Sequence, residues 1–255
     1  MKKSENPRGL KALLAHGRLR ALRRLHYLLW DRRFERFETV PTGGFLMQQH
    51  LDPTDSTNLA LAREYLPSPR LVVGWLLAGL REDFSRFTFV DFGSGKGRVL
   101  LAAAEKPFRA VRGVEFSKGL HREAERNIAG YPADRMACGD VKSWNIDAAN
   151  FELPDGDCIL YFFNPFGAAL RDHVVSTALD RAQSRNSRII LVFYNPVDLQ
   201  SLVRQERLQR RTIPLPHRLK LKVLSPYPAE VFELKPVPFP NPDTQQILGL
   251  ARLEA

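Results

Sequence analysis

Phe87-Thr-Phe-Val-Asp-Phe-Gly-Ser-Gly-Lys-Gly-Arg98, running on into Val99-Leu-Leu-Ala-Ala-Ala104, reads as a buried strand, a glycine-rich turn and the start of a helix. Glycines at 93, 95 and 97 allow a tight turn and let a ligand approach the backbone without a Cβ in the way. The first N–H groups of the following helix have no partner within the helix and face that ligand. A phosphate-gripping loop needs Gly-x-x-x-x-Gly-Lys followed by Ser or Thr, whereas here Lys96 is followed by Gly97 and position 90 is Val90. A dinucleotide fingerprint, Gly-x-Gly-x-x-Gly/Ala, would need a small residue where Arg98 stands.

Downstream of this turn, short apolar strands alternate with helices, the pattern of a parallel sheet covered on both faces. The spacing predicts strands over Thr88 to Phe92, Ala110 to Glu115, Arg135 to Cys138, Cys158 to Phe163 and Arg188 to Tyr194, with helices over Arg98 to Lys106, Lys118 to Ala129 and Ala168 to Ser184. Two further strands, near Leu219 to Leu224 or Val231 to Leu234 and at Gln246 to Leu253, suit an antiparallel hairpin at one sheet edge. Pro236 to Pro242 reads as a connecting loop. Upstream, helices are expected over Asn58 to Tyr65 and from Arg70 to about Leu80, separated by the turn Pro67-Ser-Pro69. Glu115 ends its strand about 20 residues beyond the glycine turn, where nucleotide-binding α/β folds place an acid on the ribose hydroxyls.

The run from Asp91 to Gly97, acidic-x-Gly-x-Gly-x-Gly, resembles motif I of the class I S-adenosylmethionine-dependent methyltransferases. The likeness extends over about residues 70 to 200 and is distantly similar to the non-SET histone-lysine methyltransferases. It implies a Rossmann-like, mostly parallel seven-stranded sheet with helices on both faces and an N-terminal helical extension. It also implies that S-adenosylmethionine is held by Asp91, Phe92, Gly93, Ser94, Gly95, Lys96 and Gly97, with Glu115 and Phe116 at the ribose. Cys138-Gly-Asp140-Val141 resembles the loop that meets the adenine in this superfamily, with Asp140 accepting from the exocyclic amine. Ser68 matches the hydroxyl of a proline-flanked segment that folds over the cofactor's amino-acid end. At the end of the fourth strand, Asn164, Pro165 and Phe166 stand where these enzymes meet the acceptor and the reactive methyl group; Asn164 offers a carbonyl acceptor and an amide donor. Tyr194 and Asn195 are second-rank candidates for the acceptor pocket. The chain lacks the paired asparagines of the histone enzymes here, which leaves the acceptor open among protein side chains such as lysine, RNA and small molecules.

Composition sets the frame for these motifs. The 255 residues are 44% hydrophobic and 26% charged, the ordinary globular range. The longest apolar run, Leu71 to Leu80, stops at Arg81 and is half the roughly 20 residues a membrane-spanning helix needs. Cys138 and Cys158 have no metal-ligand spacing, no metal is expected, and a cytoplasmic protein is the best fit. The net charge is +10, and between Met1 and Glu38 eleven basic residues stand against four acidic ones. Leucines recur there at three- and four-residue steps, so residues 1–57 read as a basic helical extension and loop, and residues 58–255 as the catalytic domain. The extension suits a lid on the core or an acidic partner, either nucleic acid or an acidic protein. Two other classes stay open: a nucleic-acid-binding module with a degenerate methyltransferase-like core, and a nicotinamide-dinucleotide oxidoreductase.

Overall fold

A computed structural model describes residues 40–43, 52 and 65–236. Within them the chain forms β1 (Thr88–Phe92), β2 (Ala110–Glu115), β3 (Val141–Asn145), β4 (Cys158–Phe162), β5 (Ile189–Tyr194), β6 (Leu208–Arg210) and β7 (Ala229–Leu234). The helices are α1 (Arg70–Leu80), α2 (Arg98–Ala104), α3 (Lys118–Ala129), α4 (Ala168–Ser184), α5 (Gln200–Val203) and α6 (Leu215–Leu224). The strands make one seven-stranded sheet in the order β3-β2-β1-β4-β5-β7-β6. The first five are parallel, and β7 runs antiparallel between β5 and β6. This is the Rossmann-like α/β architecture.

The central strands β1, β4 and β5 are buried along their whole length. Helices cover both faces of such strands, so both sets of alternating side chains are apolar. On one face Phe87, Phe89, Ile159 and Ile190 pack under α1 and α2; on the other, Val90, Phe92, Leu160 and Leu191 pack under α4. Three aromatic rings cross the second layer in a row, Phe92 on Phe162 and Phe162 on Phe193, each pair 5.0 Å between centroids.

Two sequence expectations are corrected. The third strand is Val141–Asn145, not Arg135 to Cys138. Ala133–Arg135 is a single 3-10 turn, and Cys138 is buried in a loop whose Ala137 and Cys138 N–H groups both donate to the Ala104 carbonyl. Leu219 to Leu224 is the second half of α6, which starts with Pro216 in its first turn, a position that needs no N–H. Val231 to Leu234 does belong to a strand, the antiparallel β7, but its outer partner is Leu208–Arg210. The expected strand over 246–253, most of the loop from 236 to 242, the helix over 58–65 except Tyr65, and the N-terminal helices lie outside the described residues. No helix among the described residues is long and apolar enough to cross a membrane.

Candidate functional site

The carboxyl ends of β1, β2 and β4 meet the segment Tyr65–Ser68 around one cleft. The chain order reverses between β1, which leads to β2, and β4 on its other side, and open α/β sheets bind ligands at such a switch point. Asp91 and Gly93 from β1 and its turn, Glu115 and Phe116 after β2, and Asn164, Pro165 and Phe166 after β4 all line this cleft, as do Ser68 and Ser94. About 890 Å³ of space lies within it, part of it open to solvent.

Two carboxylates set its electrostatics. Glu115 is 3% exposed; its Oε2 accepts from the Gly95 N–H at 2.8 Å and its Oε1 from the Ser117 N–H at 2.9 Å. Burial nevertheless pushes its carboxyl up to about 7, against the pull of those backbone donors. Asp91 is 2% exposed, and no hydrogen bond draws its carboxyl down. Burial, with the Glu115 charge adding to it, raises the Asp91 carboxyl well above the ordinary range. The Ser94 hydroxyl is also buried, without a partner among the described residues. The Ser68 hydroxyl lies 3.0 Å from the Tyr161 hydroxyl, with both groups buried.

The three glycines of the turn all have positive φ, and each avoids a different clash. A Cβ on Gly93 would lie 2.5 Å from Pro165 Cβ, one on Gly95 would lie 2.1 Å from the Tyr65 ring, and one on Gly97 would press on Ala124 of α3 at 3.3 Å. The close approach at Gly95 is therefore made by a side chain of the protein itself, and Tyr65 is held there by donating to the Thr42 carbonyl at 2.8 Å. Asn164 also takes a left-handed conformation, φ 46°, which turns the chain between β4 and α4. Asparagine tolerates this region better than most residues.

Not every expected residue reaches the cleft. Asp140 and Val141 are at the opposite end of the sheet: Val141 pairs with Val111 at the start of β2, whereas Asn145 pairs with Glu115. Four residues of strand, about 13 Å, separate the two ends. The Asp140 carboxylate pairs with Arg112 and Lys142. Lys96 is drawn away to Glu123 on α3, at 3.0 Å, and Phe92 is spent on the aromatic row of the core. Tyr194 is fully buried with its hydroxyl 3.0 Å from Ser225, and the Asn195 N–H donates to the Pro228 carbonyl; neither lines the cleft.

The residues that occupy the position expected of Asp140 are Ile146, Asp147 and Ala148, which follow β3 and line the cleft. Asp147 Oδ1 caps a short turn by accepting from the Ala149 N–H at 2.8 Å. Correct placement of β3 would have pointed to it, since an acid just beyond the end of the third strand parallels Glu115 at the end of the second. Arg98 and Phe163 also line the cleft. Arg98 is buried at the start of α2, and its Nε donates to Thr42 Oγ1 at 2.9 Å.

No protein-family model and no curated protein sequence matches the chain. Among solved structures it is similar to a putative RNA methyltransferase from Pyrococcus horikoshii, 15% identical, covering 75% of this chain and 95% of that one with a TM-score of 0.44. It is also similar to magnesium protoporphyrin IX methyltransferase from Synechocystis PCC 6803, solved with bound SAM, 15% identical over 64% of this chain and 75% of that one, with a TM-score of 0.41. A third similar structure is the ribosomal protein L11 methylase from Lactobacillus delbrueckii subsp. bulgaricus, 15% identical over 63% and 77% of the two chains, with a TM-score of 0.40.

Proposed function

We propose that the chain is an S-adenosylmethionine-dependent methyltransferase acting on a protein side chain, an RNA or a small molecule. The observation that carries this reading is the pairing of Asp91 and Glu115, two buried acids on neighbouring strands that face one cleft across a glycine turn. Such a site repels a pyrophosphate and favours a ligand bearing cations and hydroxyl groups. The orphaned Ser94 hydroxyl and the buried Asp91 carboxylate are polar groups that a polar ligand would satisfy, so the donor set fits the cofactor.

When bound, S-adenosylmethionine supplies a methyl group already activated by a sulfonium. The residues supply binding and alignment. Glu115 accepts from the backbone N–H groups of Gly95, Ser117 and Phe116, and its carboxylate keeps an acceptor position for a ribose hydroxyl. Asp91 balances the positive charge of the cofactor's amino-acid end, and Asp147 stands at the adenine side. Phe166 presents an aromatic ring at the cleft, a surface that attracts a cation. Asn164 orients the acceptor through its amide. Holding nucleophile and carbon in line accounts for most of the acceleration such a transfer needs.

Calorimetric titration with S-adenosylmethionine and S-adenosylhomocysteine tests the cofactor. Tritium transfer from labelled cofactor into separated protein, RNA and small-molecule pools of a lysate tests the acceptor. Absence of binding by both compounds overturns the reading. The basic residues 1–38 recruit an acidic acceptor in this proposal; deleting them leaves cofactor affinity unchanged and makes the salt dependence of acceptor binding shallower.

A further inference from the structure

Helix α6 carries two apolar faces, and only one is used by the fold. Leu221 is buried against the body of the protein, and His217, one turn before it, lies beside Gly79 of α1, where an added Cβ would come within 3.5 Å of the histidine Cβ. At 100° per residue, Leu215, Leu219 and Val223 form a stripe centred on the side opposite this buried face. They are 55%, 51% and 66% exposed, the largest run of exposed aliphatic side chains on any one element among the described residues. Arg218 and Lys222 flank the stripe on one side and Lys220 on the other. Neither Arg218 nor Lys220 has an acidic partner among the described residues, and the stretch 212–228 contains no Asp or Glu at all.

We infer that this outer face of α6 docks on an anionic lipid surface. An aliphatic ridge between cations fits the boundary between acyl chains and acidic headgroups, where the leucines and valine leave water and the flanking charges meet the headgroups. A nucleic acid would gain from the cations but not from the ridge, because single strands are held by aromatic stacking and the outer face of α6 has no aromatic ring, its His217 lying beside Gly79 on the inner face. A protein partner would need a groove lined with acid to receive a convex ridge, whereas a headgroup layer closes around one. The C-terminal end of α6 leads through Ser225 to Tyr227, whose ring is 5.7 Å from that of Phe163 in the cleft wall. Docking by α6 therefore holds the cleft close to the lipid surface. This inference does not depend on the proposed methyl transfer.

The test is co-sedimentation of the full chain with vesicles of phosphatidylcholine alone and of phosphatidylcholine mixed with an equal part of phosphatidylglycerol. The chain should pellet with the mixed vesicles only, and less so at high salt. Leu219→Ser with Val223→Ser should weaken the partition by about tenfold or more, and Arg218→Ser or Lys220→Ser by about fivefold each. These four side chains are exposed, and a melting curve verifies that each variant is folded. As an independent readout, Leu219→Trp should show a blue shift of tryptophan emission with the mixed vesicles beyond that of the parent. Failure of the parent to bind mixed vesicles, or unchanged binding by the Leu219→Ser/Val223→Ser variant with no blue shift at position 219, overturns the inference. Equal binding to both vesicle types overturns its electrostatic half and with it the assignment to an anionic surface.

Discussion

Glu115 Oε2 accepts the Gly95 N–H at 2.8 Å, so the acid that ends β2 is fastened to the glycine turn that follows β1. One side chain thereby serves two strands, holding the turn and facing the cleft. Glu115→Ala removes a charge-assisted acceptor, a loss of about 1.5–3 kcal/mol, and should weaken S-adenosylhomocysteine at least tenfold. Glu115→Gln keeps an oxygen for Gly95 and should fall between the parent and Ala in calorimetry.

The raised carboxyls give a pH dependence of definite sign. Glu115 goes from an ordinary 4.5 to about 7 on folding. The stability that follows from its tighter proton binding is fully present below 4.5 and is lost as the pH rises through about 7, a change on the order of 3 kcal/mol in the ligand-free protein. Asp91 shifts in the same direction. A cationic ligand favours the ionised forms, so affinity for S-adenosylmethionine should rise as the pH passes through about 7, where the Glu115 carboxyl ionises. Calorimetry at pH 6 in buffers of different ionisation enthalpy should show proton release on binding.

Gly95→Ala should act through Tyr65. The new Cβ meets the Tyr65 ring and must also adopt φ 54°, a conformation that costs an L-residue about 1–2 kcal/mol. The melting temperature should fall by several degrees, and adding Tyr65→Ala should recover the steric part but not the part due to φ. A double variant that melts no higher than Gly95→Ala alone refutes this account.

Asp140 and Asp147 should separate cleanly. Asp140→Asn loses an exposed ion pair with Arg112, worth about 0–1 kcal/mol, and should leave cofactor affinity unchanged. Asp147→Ser keeps an N-capping oxygen but shortens the side chain, and should reduce affinity with little change in stability. The opposite pattern in titration would return the adenine side to the Asp140 loop.

Asn164→Gly tests the acceptor side. Glycine accepts φ 46° without strain, so the melting temperature should hold or rise. Cofactor affinity should be kept while kcat falls by about tenfold to a hundredfold, the loss of one oriented hydrogen bond in the transition state.

Strands and helices with a buried periodic face were legible in the sequence: β1, β2, α1, α3 and α4 lie on the expected residues. The misses share a physical cause. β3 is an edge strand of mixed exposure, Val-Lys-Ser-Trp-Asn, and lacks the apolar run that marks β1 or β5, whereas the buried loop residue Cys138 imitates one. Leu-Lys-Leu-Lys within α6 alternates with period two, as a half-buried strand does, because the helix bears an apolar ridge on its solvent side. In the site, the spacing singled out Glu115 and the resemblance Asp91 and Asn164, and all three line one cleft. They did not reveal that Gly95 makes room for Tyr65, which depends on a contact between segments 30 residues apart.

The bonds from Thr42 to Arg98 and from Asp52 to Ser117 span 56 and 65 residues. Loops of that length close late, since the entropy of joining their ends is lost before their contacts reward it. During synthesis the segment bearing Thr42 and Asp52 leaves the ribosome well before its anchors at α2 and α3 exist. The cleft, which Arg98 helps to line, is therefore completed only once this segment has closed onto α2 and α3.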